Sequence, residues 1–215
     1  MKGTSCMLTQ KSITAFLNEL ASNSPAPGGG SVAALAGALG AALTSMVCHL
    51  TIGKKKYAAV EQEMNSVLLK SEELRATFAA LIDQDTEAFN KVMEAYSLPK
   101  ETDDQKALRT AAIQVATKEA TMIPLRVMRH IIDALALTKI AAEKGNTNSV
   151  SDAGVSALML RAAAESAAYN VEINLKSITD TEFVGWTAEE LASLRRTSTM
   201  KSVEIAEFVN KNITS

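Results

Sequence analysis

Between Glu19 and Lys54 the chain carries no Asp, Glu, Lys or Arg. A stretch of that length without charge is suited to burial, in a protein core or in a bilayer. Residues 32–52 are long enough to span a membrane, yet they are rich in Ala and Gly, which gain little from lipid. They also carry Thr44, Ser45 and His49. A buried core helix is the preferred reading and a membrane span the alternative. Small residues recur here at i, i+4 spacing. Ala33, Gly37, Ala41 and Ser45 form one row, and Ala36, Gly40 and Thr44 another. Glycine inside a helix costs about 1 kcal/mol relative to alanine. Close approach of another helix, or of a ligand, is the expected compensation.

Hydrophobic residues make up 47% of the 215 positions but aromatics only 4%. The core must therefore use Ala, Leu, Val, Ile and Met, which favours packed helices over strands. A first helix is expected over residues 9–22, with Ile13, Phe16, Leu17 and Leu20 on one stripe. A Pro/Gly loop follows. Ser31 is read as the cap of the second helix, which runs to Ile52 and stops at Gly53. A long helix is expected over residues 58–96. Thr102 and Gln105 form a capping box opening another, which Pro124 kinks or restarts and Gly145 closes. Ser151-Asp152 starts a helix reaching Lys176. A capping box at Thr187 and Glu190 opens the last, to Asn210. No segment alternates with period two. The expectation is one all-α domain over residues 1–215, a bundle of six or seven helices without a sheet.

The net charge of −2 provides no basic field for a phosphate backbone, so nucleic acid is not an expected partner. Two cysteines, Cys6 and Cys48, cannot build a disulfide framework, and residues 1–11 lack the apolar core of a secretory leader. A cytoplasmic location is expected. The only histidines are His49 and His130, and nothing has metal-ligand spacing, so no metal or prosthetic group is expected.

Four constellations could carry chemistry. Asp83 and Asp85 point about 200° apart on a helix and cannot pair. The stripe of Leu74, Phe78, Leu81, Ile82, Phe89, Val92 and Met93 places Asp85 about 20° from its centre, and Asp83 about 140° away. A carboxylate on an apolar face has a raised pKa, as a general acid or base near neutrality needs. A buried Asp capping another helix, or pairing with a lysine, explains the position equally well. Gly28, Gly29 and Gly30 before a helix could hold an anion on backbone N–H groups, although no P-loop follows. Lys54, Lys55, Lys56 and Tyr57 could grip an anion or simply complement a helix C-terminus. Asn170 and Asn174, at i, i+4, could read the edge of a heterocycle or bond between helices.

Taken together these residues resemble a known family. Pro25-Ala26-Pro27-Gly28-Gly29-Gly30-Ser31-Val32-Ala33-Ala34 and Leu50-Thr51-Ile52-Gly53-Lys54-Lys55-Lys56-Tyr57 are similar to blocks of the cyclodeaminase/cyclohydrolase family of folate enzymes. So are Leu81-Ile82-Asp83-Gln84-Asp85, Leu98-Pro99-Lys100, Gly145-Asn146, Ser151-Asp152 and Asn170-Val171 with Ile173-Asn174-Leu175. Ala26 stands where the family more often has Thr. The resemblance implies an all-helical homodimer with folate sites near subunit contacts, a tetrahydrofolate derivative as substrate, and Asp85 as the acidic catalyst. It implies substrate contacts at Gly28, Gly29, Gly30, Ser31, Lys54, Lys55, Tyr57, Asn146, Ser151, Asp152, Asn170 and Asn174. The resemblance is greatest to the stand-alone methenyltetrahydrofolate cyclohydrolases. A formiminotetrahydrofolate cyclodeaminase is the alternative, disfavoured because no formiminotransferase sequence accompanies it here. A non-catalytic folate-binding dimer is a third reading, against which the polar residue at position 85 speaks.

Overall fold

The computed structural model describes residues 7–213, and Cys6 and most of residues 1–11 lie outside them. Six α-helices form: α1 (Ile13–Leu20), α2 (Gly29–His49), α3 (Glu61–Tyr96), α4 (Asp103–Lys144), α5 (Val150–Leu175) and α6 (Thr181–Ile213). Short 3-10 turns at Leu8–Gln10, Lys55–Val60 and Thr147–Ser149 complete the described chain, in which no strand occurs.

The uncharged segment is the central helix. α2 packs against α3, α4 and α5, and Ala33, Ala34, Gly37, Gly40, Ala41, Val47 and Cys48 are among its buried residues. It is the one described helix long and apolar enough to cross a membrane, and most of it is buried inside the protein. The two small rows serve different neighbours. A Cβ on Gly37 would stand 2.8 Å from Phe78 of α3, and one on Gly40 2.6 Å from Leu160 of α5. The helix-propensity cost of each glycine is thus offset by contact with a large buried side chain. Thr44 of α2 meets Thr138 of α4 at 2.8 Å and Ser156 of α5 at 3.0 Å, so their hydroxyls bond to one another inside the core. Around this centre lie Phe78, Leu81, Leu125, Met128, Ile131 and Leu135, all essentially inaccessible. The Cys48 thiol is buried, and desolvation pushes its pKa up to about 11.

Several local expectations are corrected. α1 is shorter than residues 9–22, because Ser12 caps it by accepting from the Ala15 amide at 3.2 Å. Ile13 and Leu17 are exposed and only Phe16 of that stripe is buried. α2 begins at Gly29 with Gly28 as its cap, so Ser31 sits inside the first turn. Pro124 does not restart α4, which runs unbroken past it. α5 begins at Val150, and Ser151 lies in its first turn. The Thr187 box does not start a helix. Asp180 accepts from the amides of Glu182 and Phe183, capping α6 nearly two turns earlier. Glu190 pairs with Arg129 instead of reaching back. The Thr102–Gln105 box forms in both directions, and Gly145 ends α4.

Candidate active site

α3 runs antiparallel to α2 and extends past its N-terminus, since Gly37 meets Phe78 and Gly30 meets Asp85. Together with α4 and α5 it encloses a cleft of about 300 Å³ beneath the first turn of α2. Gly28, Gly29 and Gly30 form its roof, with Pro25 and Ala26 of the preceding loop. Asp85, Phe89, Val92 and Tyr96 of α3 form one wall. Thr117, Ala120 and Pro124 of α4 face them, and Asn170 and Asn174 of α5 close the side. A larger groove of about 820 Å³ lies between α5 and α6, where Arg195 is already paired with Glu165 and Glu172. None of the candidate site residues lines it.

Asp85 is the charged residue of the cleft. The Ser31 hydroxyl donates to its Oδ2 at 2.8 Å, and the Ser31 backbone N–H donates to the same carboxylate. Desolvation by burial is the largest influence and raises the Asp85 pKa above the ordinary carboxylate value, while the two Ser31 bonds pull the other way. The two readings of Asp85 therefore coincide: it satisfies an N-terminal amide of α2 from outside and also faces the cleft. Gly30 makes this possible. A Cβ there would stand 2.0 Å from Asp85 Oδ1, closer than any real contact. Asp83 points elsewhere, as the wheel requires, and accepts from the Leu8 amide at 2.6 Å.

The Asn170 side chain donates to the Ser166 carbonyl of its own helix at 2.8 Å and lies over Gly29, whose Cβ would meet it at 3.2 Å. Pro124 has no N–H, so the Ala120 carbonyl lacks its usual donor one turn on, and both residues border the cleft. Sequence reasoning treated Pro124 only as a helix breaker, and Phe89 and Val92 only as core. It did not find Tyr96, Thr117 or Ala120. The missing proline N–H is the sequence signal for an open carbonyl on the α4 wall.

The other candidates gather at the far end of α2, about 30 Å from Gly29 at 1.5 Å per residue. There the Asn146 side chain donates to the Leu50 carbonyl at 2.9 Å, and its backbone N–H donates to Thr51 Oγ1 at 2.8 Å. The Tyr57 hydroxyl accepts from the Thr147 amide at 3.0 Å. Lys54 and Lys55 are exposed beside it, and Ser151 and Asp152 begin α5 nearby. Within one chain these residues and the glycine cleft do not meet.

A sequence profile described as formiminotransferase-cyclodeaminase matches residues 12–193. The chain belongs to that family. Among its relatives, a methenyltetrahydrofolate cyclohydrolase of Methylorubrum extorquens is 49% identical, over 96% of this chain and 100% of the relative. A formimidoyltransferase-cyclodeaminase of Gallus gallus is 35% identical over 95% of this chain, which spans only 38% of that larger protein. The crystal structure of a formiminotetrahydrofolate cyclodeaminase from Thermotoga maritima superposes with a TM-score of 0.86 at 33% identity, covering 95% of this chain and 98% of the other. The all-helical architecture of this chain is thus shared with the Thermotoga maritima protein.

Proposed function

We propose that this protein is a methenyltetrahydrofolate cyclohydrolase acting in the cytoplasm, with Asp85 as its general acid–base. The observation that carries the reading is a lone, partly desolvated carboxylate in a cleft that no lysine, arginine or histidine lines. The substrate supplies the missing charge, since the N5–C–N10 bridge of 5,10-methenyltetrahydrofolate is cationic. The 49% identity to a cyclohydrolase along the full length of both chains supports the same choice.

In this mechanism Asp85, ionised, takes a proton as water attacks the bridge carbon and a C–O bond forms. The neutral carbinol collapses as Asp85 returns that proton to N5, and the C–N5 bond breaks. The hydroxyl proton leaves to solvent as the C=O forms, giving 10-formyltetrahydrofolate. The Ala120 carbonyl and the Asn170 and Asn174 amides would bond the edge of the ring system. Lys54 and Lys55 would serve this cleft only from a second copy, which is how a homodimer with a shared site enters the proposal.

Absorbance of 5,10-methenyltetrahydrofolate tests it. Accelerated loss of the chromophore, reduced about 10²–10⁴-fold in Asp85→Asn with the fold retained, is expected. A mutant rate near wild type would refute the assignment. Ammonia release from formiminotetrahydrofolate, with no methenyl hydrolysis, would move the reading to cyclodeaminase, as in the Thermotoga maritima protein. Binding without turnover of either would leave a folate-binding protein.

A further inference from the structure

Ser31 follows directly on the glycine roof of the cleft, but its side chain is fully buried, so it does not present its hydroxyl to a ligand. Its single hydroxyl proton goes to Asp85 Oδ2 at 2.8 Å. Its oxygen stands 3.2 Å from Thr86 Oγ1. With the Ser31 proton committed, Thr86 must be the donor in that second contact. The result is a directed chain, Thr86 O–H to Ser31 O–H to Asp85, in which each bond polarises the next. The Ser31 amide, one of the N-terminal donors that a helix leaves free, reaches the same carboxylate.

We propose that Ser31 is a positioning residue that keeps Asp85 ionised and aimed, acting through Asp85 and not through the substrate. The role rests on Asp85 being the acid–base group. Burial alone would leave that carboxyl protonated over more of the pH range, and a protonated Asp85 cannot accept a proton from water. The two Ser31 donors oppose this while leaving Asp85 in a cleft dry enough to return the proton. No other charge intervenes. From α2, α4 and α5 no titratable side chain lines the cleft, and from α3 only the Tyr96 phenol does so beside Asp85.

The test combines the pH–rate profile with a direct titration of Asp85 in the full chain. The titration uses ¹³C-labelled aspartate, the Asp85 signal being assigned by its absence in Asp85→Asn. Ser31→Ala is expected to move the acid limb of kcat upward by about one pH unit, the worth of one charge-assisted hydrogen bond. Rate is therefore lost about tenfold on the acid side and largely regained at higher pH, with KM little changed. The Asp85 carbon signal should titrate higher by the same interval. Thr86→Val, which leaves both partners in place, should give a smaller shift of the same sign. An Asp85 titration identical in wild type and Ser31→Ala overturns the proposal whatever the kinetics. An unmoved acid limb with a raised KM also overturns it, since that would mark Ser31 as a ligand contact. If Asp85→Asn keeps the wild-type rate, the acid–base reading falls separately, and the carbon titration alone then decides whether Ser31 governs Asp85.

Discussion

Gly30→Ala asks whether the first turn of α2 is built around Asp85. The added Cβ would lie 2.0 Å from Oδ1, 2.6 Å from Cγ and 2.8 Å from Oδ2. Reaching even 3.0 Å requires the nearer oxygen to retreat by about an ångström. Misplacement of that size in a catalytic group costs about 10²-fold in rate, or about 2.7 kcal/mol of barrier. Stability changes less. Alanine gains up to about 1 kcal/mol over glycine in a helix, against about 1.5–3 kcal/mol for weakening a hydrogen bond to a charged group. A net loss of about 0.5–2 kcal/mol shifts the melting temperature by only a few degrees in a domain of this size. The neighbouring glycines supply an internal scale. A Cβ on Gly29 would meet Asn170 at 3.2 Å, and one on Gly28 would meet only the Pro25 carbonyl at 3.8 Å. The three alanine variants, assayed by loss of the methenyl chromophore and by thermal unfolding, should therefore rank 28, 29, 30 in increasing loss of rate. Equal rates for Gly28→Ala and Gly30→Ala would refute the reasoning.

Other outcomes follow from the same geometry. Because burial raises the Asp85 pKa, its contribution to stability is full below the unfolded carboxyl value and is lost as pH rises through the folded one. Asp85→Asn should accordingly unfold at a temperature no lower than wild type at neutral pH, and the difference should close as the pH is lowered. Gly40→Ala places a Cβ 2.6 Å from Leu160 Cγ and 3.2 Å from the Ser156 carbonyl. Overpacking of that kind costs about 1–3 kcal/mol, read as a lower urea midpoint with unchanged slope. Asn146→Ala removes the bond to the Leu50 carbonyl and that from the Asn148 amide. It should lose about 1–3 kcal/mol of stability and leave kcat within a small factor of wild type. A large rise in KM would instead give Asn146 a direct ligand role.

Much of this was legible in the sequence because one helix dominates the chain. An uncharged segment with small residues at i, i+4 has few solutions other than a central helix in close contact, and Gly37 and Gly40, one in each row, behave accordingly. The Thr102–Gln105 box formed because it is local. The Thr187 box failed because Glu190 had a better partner in Arg129, which no local pattern reveals. The position of Asp85 relative to Asp83 was fixed by helical periodicity, a property of one helix. The separation of Lys54 and Lys55 from the glycines was obscured by the likeness of both blocks to one family, although 21 residues of helix place them at opposite ends. Tyr96, Thr117 and Ala120 depend on how three helices converge, which α2 alone does not dictate.

The Thr44, Thr138 and Ser156 hydroxyls bear on a problem peculiar to alanine-rich interfaces. Surfaces made of Ala and Gly are nearly smooth, so two such helices slid by one turn would bury similar area with similar fit. Apolar burial is indifferent to that choice, but hydrogen bonds are not. Three hydroxyls from three helices share their three protons among one another and the Gly40 and Ala134 carbonyls. They come together at a single alignment and would be stranded in dry surroundings at any other. They act as an index mark, setting where the first turn of α2 comes to rest against α4 and α5 and hence the height at which Gly30 meets Asp85.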